Sequence, residues 1–307
     1  MRSLLLFLAN QRFLYRLAMR YGLLRSLALR FVAGEQLEDG VVVAQALAAQ
    51  RILATLDYLG ESVTNEAEAR AAADSYLEAL AALHQAGVEP NVSLKLTQMG
   101  LDISDSFCFD NLLRVVECAT RLNGFVRIDM ESSAYTDRTL ALFWRLWERS
   151  HHVGVVLQAY LYRTSDDVDA MIGAGVRVRL CKGAYLESSD VAFQSRAEID
   201  ANYRRLMERL LLKGNYPALA THDARLLRHA VRFAQQQRIP PSRFEFQMLY
   251  GVRRDLQTRL AKLGYNVRVY VPYGEAWYPY LMRRLAERPA NLMFVLYSLL
   301  AEGLQRR

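Results

Sequence analysis

Tyr280, Arg283, Arg284 and Glu287 fall at i, i+3, i+4 and i+7 in a chain of 307 residues. On a helix that spacing puts all four on one face, where an ordinary globular protein carries its apolar stripe. Here the face holds a phenol, two guanidinium groups and a carboxylate. Two permanently charged forks side by side suit a small carboxylate gripped bidentately; the plainer reading is a solvated helix face. The surrounding stretch, VRVYVPYGEAWYPYLMRRLAE at 267–287, opens as a strand, because Val267, Val269 and Val271 alternate with Arg268 and Tyr270. Pro272 and Gly274 are expected to end that strand. A helix is expected from about Glu275, with Pro279 inside its first turn, where a missing N–H costs least.

Residues able to do chemistry recur at the ends of apolar runs upstream. Lys95 closes VSLKL, Asp129 closes FVRIDM, and Gln158 follows VGVVL. Arg179 and Lys182 close VRVRLCK, while Thr221, His222 and Asp223 close PALATHD. Gln247 lies in FEFQML and Tyr270 in VRVYVP. One polar strand end is usually a turn cap; a whole series reads as a lined pocket. Each member has a plain alternative. Asp129 either caps the turn at Ser132–Ser133 or pairs with Lys95 on the neighbouring strand, within reach of a substrate amine. His222 fits a hydrogen-bonded core residue. Gln158 and Gln247 fit satisfied core amides, or partners for the heteroatom edge of a cofactor ring. Gly183, in KGAY, fits a turn glycine or a close approach of backbone to a flat ring or phosphate.

The elements that must position these residues alternate along the chain. Short apolar runs lie at 51–56, 92–96, 125–130, 154–160, 176–181, 217–221, 244–249 and 267–271. Between them, stretches such as Glu66–His84, Asn111–Leu122, Thr139–Ser150 and Glu198–Lys213 carry apolar residues at helical spacing. Eight such units in one chain predict an α/β fold, a (β/α)₈ TIM-like barrel. A doubly wound sheet would also alternate, but neither G-x-G-x-x-G after the first strand nor G-x-x-x-x-G-K-[ST] is present. The expected organisation is an N-terminal helical arm over residues 1–50 packed on a barrel over 51–307.

Composition narrows the function classes. With 52% hydrophobic and 23% charged residues the chain is globular. Three cysteines without a C-x-x-C pair, and five histidines without H-E-x-x-H, predict neither a disulfide framework nor a metal site. A net charge of +7 points to an anionic partner. Residues 1–34 hold six arginines and no acidic residue, which predicts packed basic helices with affinity for a membrane surface rather than a spanning or secretory segment. Two rival classes are compatible with these features. One is a Schiff-base barrel using Lys95 or Lys182 as nucleophile. The other is a nucleic-acid or lipid binder using the basic N-terminus.

Eight motifs occur in order: LDYLGES at 56–62, VSLKLTQMG at 92–100, VRIDMESS at 126–133, LQAYLYRT at 157–164, RLCKGAY at 179–185, ATHD at 220–223, FQMLYG at 246–251 and YLMRRLAE at 280–287. Together they resemble the proline dehydrogenase family, from about Phe31 to Val295, in its short monofunctional bacterial form. Leu186 departs from the aromatic residue common after KGAY in the longer enzymes. The resemblance implies a distorted barrel that oxidises L-proline to Δ1-pyrroline-5-carboxylate with FAD lying over the strand C-termini. It implies hydride transfer from C5 to flavin N5, with Asp129 and Arg179 as the catalytic residues. Lys95, Leu249, Tyr185, Tyr270, Tyr280, Arg283 and Arg284 would surround proline. Met130, Gln158, Arg179, Lys182, Gly183, Ala184, Thr221, His222, Gln247 and Glu287 would hold FAD, and Glu61 would be an acidic gate. Implied partners are a membrane quinone as electron acceptor and a separate pyrroline-5-carboxylate dehydrogenase taking the product, with no nucleic acid. The implied location is the inner face of the cytoplasmic membrane, by peripheral attachment.

Overall fold

A computed structural model describes residues 29–287, with side chains described as far as Met282. Most of the expected N-terminal arm therefore lies outside the described residues. A first helix, α1 (Leu37–Ala48), leads into eight β/α units. The strands are β1 (Leu53–Tyr58), β2 (Asn91–Leu94), β3 (Phe125–Ile128), β4 (Val153–Gln158), β5 (Val178–Cys181), β6 (Ala218–Ala220), β7 (Glu245–Leu249) and β8 (Asn266–Tyr273). The helices after them are α2 (Glu66–Gln85), α3 (Asp105–Arg121), α4 (Ser133–Trp147), α5 (Thr164–Gly173), α6 (Arg196–Lys213), α7 (Ala224–Gln236), α8 (Arg254–Lys262) and α9 (Trp277–Glu287).

The strands close in sequence order into a parallel barrel, with β8 returning to β1. Their apolar runs follow from this: β2, β3 and β4 are buried along their whole length, as strands covered on both faces must be. Polar caps start the helices. The Asn65 side chain accepts from Ala67 N–H at the start of α2, Ser104 from Phe107 N–H at α3, and Asp223 from Arg225 N–H at α7. Ser195 and Glu198 form a capping box on α6. Helices α3 and α4 begin at Asp105 and Ser133, earlier than the apolar spacing from Asn111 and Thr139 indicates, because their first turns are defined by hydrogen bonds rather than by burial. At α4 the partner is Glu187, which accepts from both Ser133 N–H and Ser133 Oγ–H. That interaction, not one with Asp129, tethers the Ser132–Ser133 turn.

Pro272 does not end β8. The strand continues to Tyr273, with Asp57 opposite Pro272 and Tyr58 opposite Tyr273. The fixed φ of proline suits extended backbone, and the Pro272 carbonyl accepts from Ala33 N–H at 2.9 Å. The break comes at Gly274, whose φ of +122° favours glycine. The helix then starts at Trp277, with Pro279 in its first turn.

The ring of outer helices is rearranged at one place. Helix α1 packs on β1 and β8, and Ala44 and Leu47 join the main core. A Cβ on Gly40 would lie 3.4 Å from Leu56 and 3.5 Å from Tyr273, so this helix sits close against both strands. It occupies the outer groove between β8 and β1. Helix α9 instead packs Trp277, Tyr278, Tyr280 and Leu281 with Phe31, Val32 and Leu59, a separate apolar cluster beside the C-terminal end of β1. Trp277 Nε1 donates to Glu35 at 3.1 Å. The helix carrying the two arginines is thereby seated beside the barrel mouth.

Among the described residues no helix is long and apolar enough to cross a membrane. No group of three or more His, Cys, Asp or Glu side chains there is arranged to hold a metal ion.

Candidate active site

The C-terminal ends of β2, β3, β5 and β8 bring four polar side chains together. Asp129 Oδ1 accepts from Ser93 Oγ at 2.7 Å and from Arg179 Nη1 at 2.8 Å. Asp129 Oδ2 accepts from Tyr270 OH at 2.8 Å. Ser93 Oγ in turn accepts from Arg179 Nη1 at 2.9 Å. The guanidinium carbon lies 5.4 Å from the centre of the Tyr270 ring. Burial, then the negative charges of Asp129 and Asp57, hold the Tyr270 hydroxyl well above the usual tyrosine range, so it remains a proton donor.

Only one arm of Arg179 is used in this network. Its Nε and Nη2 are buried without hydrogen-bond partners. On the adjacent strand, Gln158 Nε2 donates to the Met130 carbonyl at 3.4 Å while its Oε1 is also buried and unpartnered. Buried polar groups are nearly always satisfied. Orphan donors beside an orphan acceptor fit a flat heterocycle that offers both kinds of group.

The strand-end pairing differs from the expectation in one respect. Asp129 forms its ion pair with Arg179, and Lys95 Nζ lies 3.6 Å from Asp57. The residue of β2 that bonds Asp129 is Ser93, two positions before Lys95, and Arg179 reaches Asp129 across the closed barrel. Asp57 is a further member of the site that strand-end polarity passes over. Its signal is its place straight after the run at 51–56, two residues on from Thr55, with both side chains buried in β1.

The remaining candidates line the rim. Lys182 Nζ donates to Asp200 and, at 3.2 Å, to Asp223. Burial pushes the Asp223 carboxyl up, but the Arg225 N–H and Lys182 outweigh it and leave the group below the usual carboxylate range. His222 Nε2 accepts from Leu249 N–H at 2.9 Å, which leaves Nδ1 as the protonated nitrogen of a neutral ring. Thr221 is buried and accepts from Asp223 N–H. Gly183 has φ +107°, and a Cβ there would fall 2.2 Å from Tyr160, so the flat ring it approaches belongs to this chain. Ala184, Tyr185 and Leu186 follow on an exposed loop. Met130 and Tyr280 are buried, Leu249 is half-buried, and Glu61 is exposed on the segment after β1. Gln247 is buried, and its Nε2 donates to Glu245 inside the barrel. Arg283, Arg284 and Glu287 follow Tyr280 along α9, and their side chains lie outside the described residues.

A family model described as proline dehydrogenase matches residues 42–296. The chain is 41% identical over 300 residues to Proline dehydrogenase 1 of Bacillus subtilis (strain 168), covering 98% of this chain and 99% of that one. Against the Proline dehydrogenase of Deinococcus radiodurans it is 42% identical over 280 residues, covering 90% of each. The Bifunctional protein PutA of Escherichia coli (strain K12) is 28% identical over 89% of this chain, which spans only 24% of that protein. Among solved structures, proline utilization A from Bdellovibrio bacteriovorus inactivated by N-propargylglycine superposes with a TM-score of 0.79 at 28% identity. That match covers 85% of this chain and 32% of the larger one.

Proposed function

The chain belongs to the proline dehydrogenase family, and on that premise we propose how its barrel mouth oxidises L-proline in proline catabolism, with FAD as cofactor and a membrane quinone as the final electron acceptor. The observation that carries the cofactor reading is the pair of orphan donors on Arg179 beside the orphan Gln158 oxygen. Met130, Gln158, Arg179, Lys182, Gly183, Ala184, Thr221, His222 and Gln247 would hold FAD, with Glu287 from α9. Bound FAD supplies the acceptor, at N5, for the hydride leaving C5 of proline.

The chain's own residues do the rest. Arg283 and Arg284 bind the proline carboxylate and so fix which ring carbon faces the cofactor, with Lys95 near the amine. Leu249, Tyr185, Tyr270 and Tyr280 wall the saturated ring and exclude water. Asp129 is immobilised by three donors, yet Oδ2 accepts only one of them and keeps a second lone pair for a substrate N–H. Arg179 presents a fixed positive charge and two unused donor nitrogens where negative charge develops on transfer, and no reorganisation is needed. Glu61 closes over the bound substrate. The product, Δ1-pyrroline-5-carboxylate, would pass to a separate pyrroline-5-carboxylate dehydrogenase. The basic residues before Arg30 would attach the enzyme peripherally to the inner face of the cytoplasmic membrane, beside the quinone.

The purified protein should be yellow and should bleach when L-proline is added anaerobically. A colourless preparation that takes up no added FAD overturns this reading.

A further inference from the structure

Three strand ends are joined by hydrogen bonds that the chemistry above does not use. Glu131, buried to 5% exposure, lies two residues past Asp129. Its Oε1 accepts from Thr97 N–H at 3.1 Å and its Oε2 from Thr97 Oγ–H at 2.7 Å. Thr97 is buried and lies two residues past Lys95. With its hydroxyl proton given to Glu131, Thr97 Oγ1 accepts from Ser62 N–H at 3.1 Å, and the Thr97 carbonyl accepts from Val63 N–H at 3.1 Å. Ser62, next to Glu61, stands at φ +54°, a left-handed conformation that a serine holds only when its surroundings enforce it.

We propose that Thr97 is a positioning residue: through the relay Glu131–Thr97–Ser62 it ties the exposed segment bearing Glu61 to the strand ends bearing Asp129 and Lys95. This rests on the reading that Glu61 closes the proline site. The direction of each bond gives the relay its logic. A carboxylate can only accept, so it orients the Thr97 hydroxyl and turns the lone pairs of that oxygen toward Ser62. Neither a valine nor a reversed hydroxyl can make both contacts. Lys95 lies two residues before Thr97 and Glu61 next to Ser62, and the charges of both bear on Glu131, after burial and the two Thr97 bonds. The relay's role is therefore in closing the site around substrate, not in hydride transfer.

The experiment compares the FAD-loaded full chain with Thr97→Val, which keeps shape and removes the hydroxyl, and Thr97→Ser, which keeps the hydroxyl. Hydrogen exchange is read at residues 60–65 alongside KM and kcat for L-proline and the flavin spectrum. Thr97→Val should speed exchange at Ser62 by about five- to tenfold, the loss of roughly one hydrogen bond. It should raise KM several-fold and leave kcat and the spectrum unchanged, and Thr97→Ser should restore both quantities. Unchanged exchange in Thr97→Val overturns the tie. Faster exchange with an unmoved KM overturns its role in substrate closure; if Glu61→Gln also leaves KM unmoved, the fault lies in the reading of Glu61. Should Thr97→Val not fold, Glu131→Gln takes its place, with the same rise in exchange expected and the same null result decisive.

Discussion

At the N-terminal end of the barrel Arg268 uses all three guanidinium nitrogens, whereas at the C-terminal end Arg179 uses one. Arg268 Nε donates to both oxygens of Glu245 at 3.0 and 3.1 Å, Nη2 to both oxygens of Glu89 at 3.2 and 3.1 Å, and Nη1 to the Ala54 carbonyl at 2.8 Å. Arg127 beside it donates to the carbonyls of Val155 and Arg177. Both ends bury an arginine on carboxylate, and both arginines are 5% exposed or less. Burial and ion pairing therefore do not distinguish a structural plug from a reactive site. Unfinished hydrogen bonding does: the plug is closed on itself, and the mouth has donors set aside for something else.

The comparison can be broken most forcefully at the plug. Arg268→Met should leave the carboxylate of Glu245 buried without its cation and cost about 3–5 kcal/mol in urea unfolding. At the mouth, Arg179→Met should lower the rate of cofactor reduction by proline about 10²–10³-fold, the usual loss for one preorganised donor, while changing unfolding stability far less than Arg268→Met. Equal destabilisation by the two variants would erase the distinction.

A smaller effect, in the pH dependence of stability, sharpens it. Burial pushes Glu245 up, but the charge and hydrogen bonds of Arg268 and the Gln247 amide bring it below the usual carboxylate range. With its folded value below the unfolded one, Glu245 contributes stability above about pH 4.3 that is lost as pH falls through the folded value. Glu131, at the mouth, has the opposite sign: burial raises it, and the Thr97 bonds offset this only in part. Its contribution is present in acid and is lost as pH rises from about 4.3 through its folded value. Unfolding free energies measured from acid to neutral pH should therefore move in favour of Glu131→Gln, relative to the parent, as pH rises. They should move against Glu245→Gln. Parallel profiles would show that the two carboxylates are held alike.

The barrel was legible because strands buried on both faces carry Val, Ile and Leu runs, and the breaks between them fall at glycine and proline. The mouth was legible because polar residues interrupt those runs at their ends. Partnership across the barrel was not. Whether Asp129 meets Lys95 or Arg179 depends on strand tilt and on which residue faces inward, and Ser93 takes the place at which Lys95 was expected. The starts of α3 and α4 were hidden because caps and a distant Glu187, rather than apolar spacing, define their first turns. Pro272 misled because a proline whose φ suits the strand reads, in sequence, like one that ends it. Asp57 directly follows the run at 51–56 and was passed over because the strand continues through it to Tyr58.

The seat of α1 in the groove between β8 and β1 has a bearing on biogenesis. That groove exists only once the two strands pair, and Arg268 bonds Ala54 across 214 positions of sequence. During synthesis α1 and β1 emerge early, yet the surface that receives them is translated last. Until then β1 presents an open edge to other nascent chains. Chaperone demand should thus be set by the wait for the final strand, and a circular permutant that places β8 directly before α1 should shorten it.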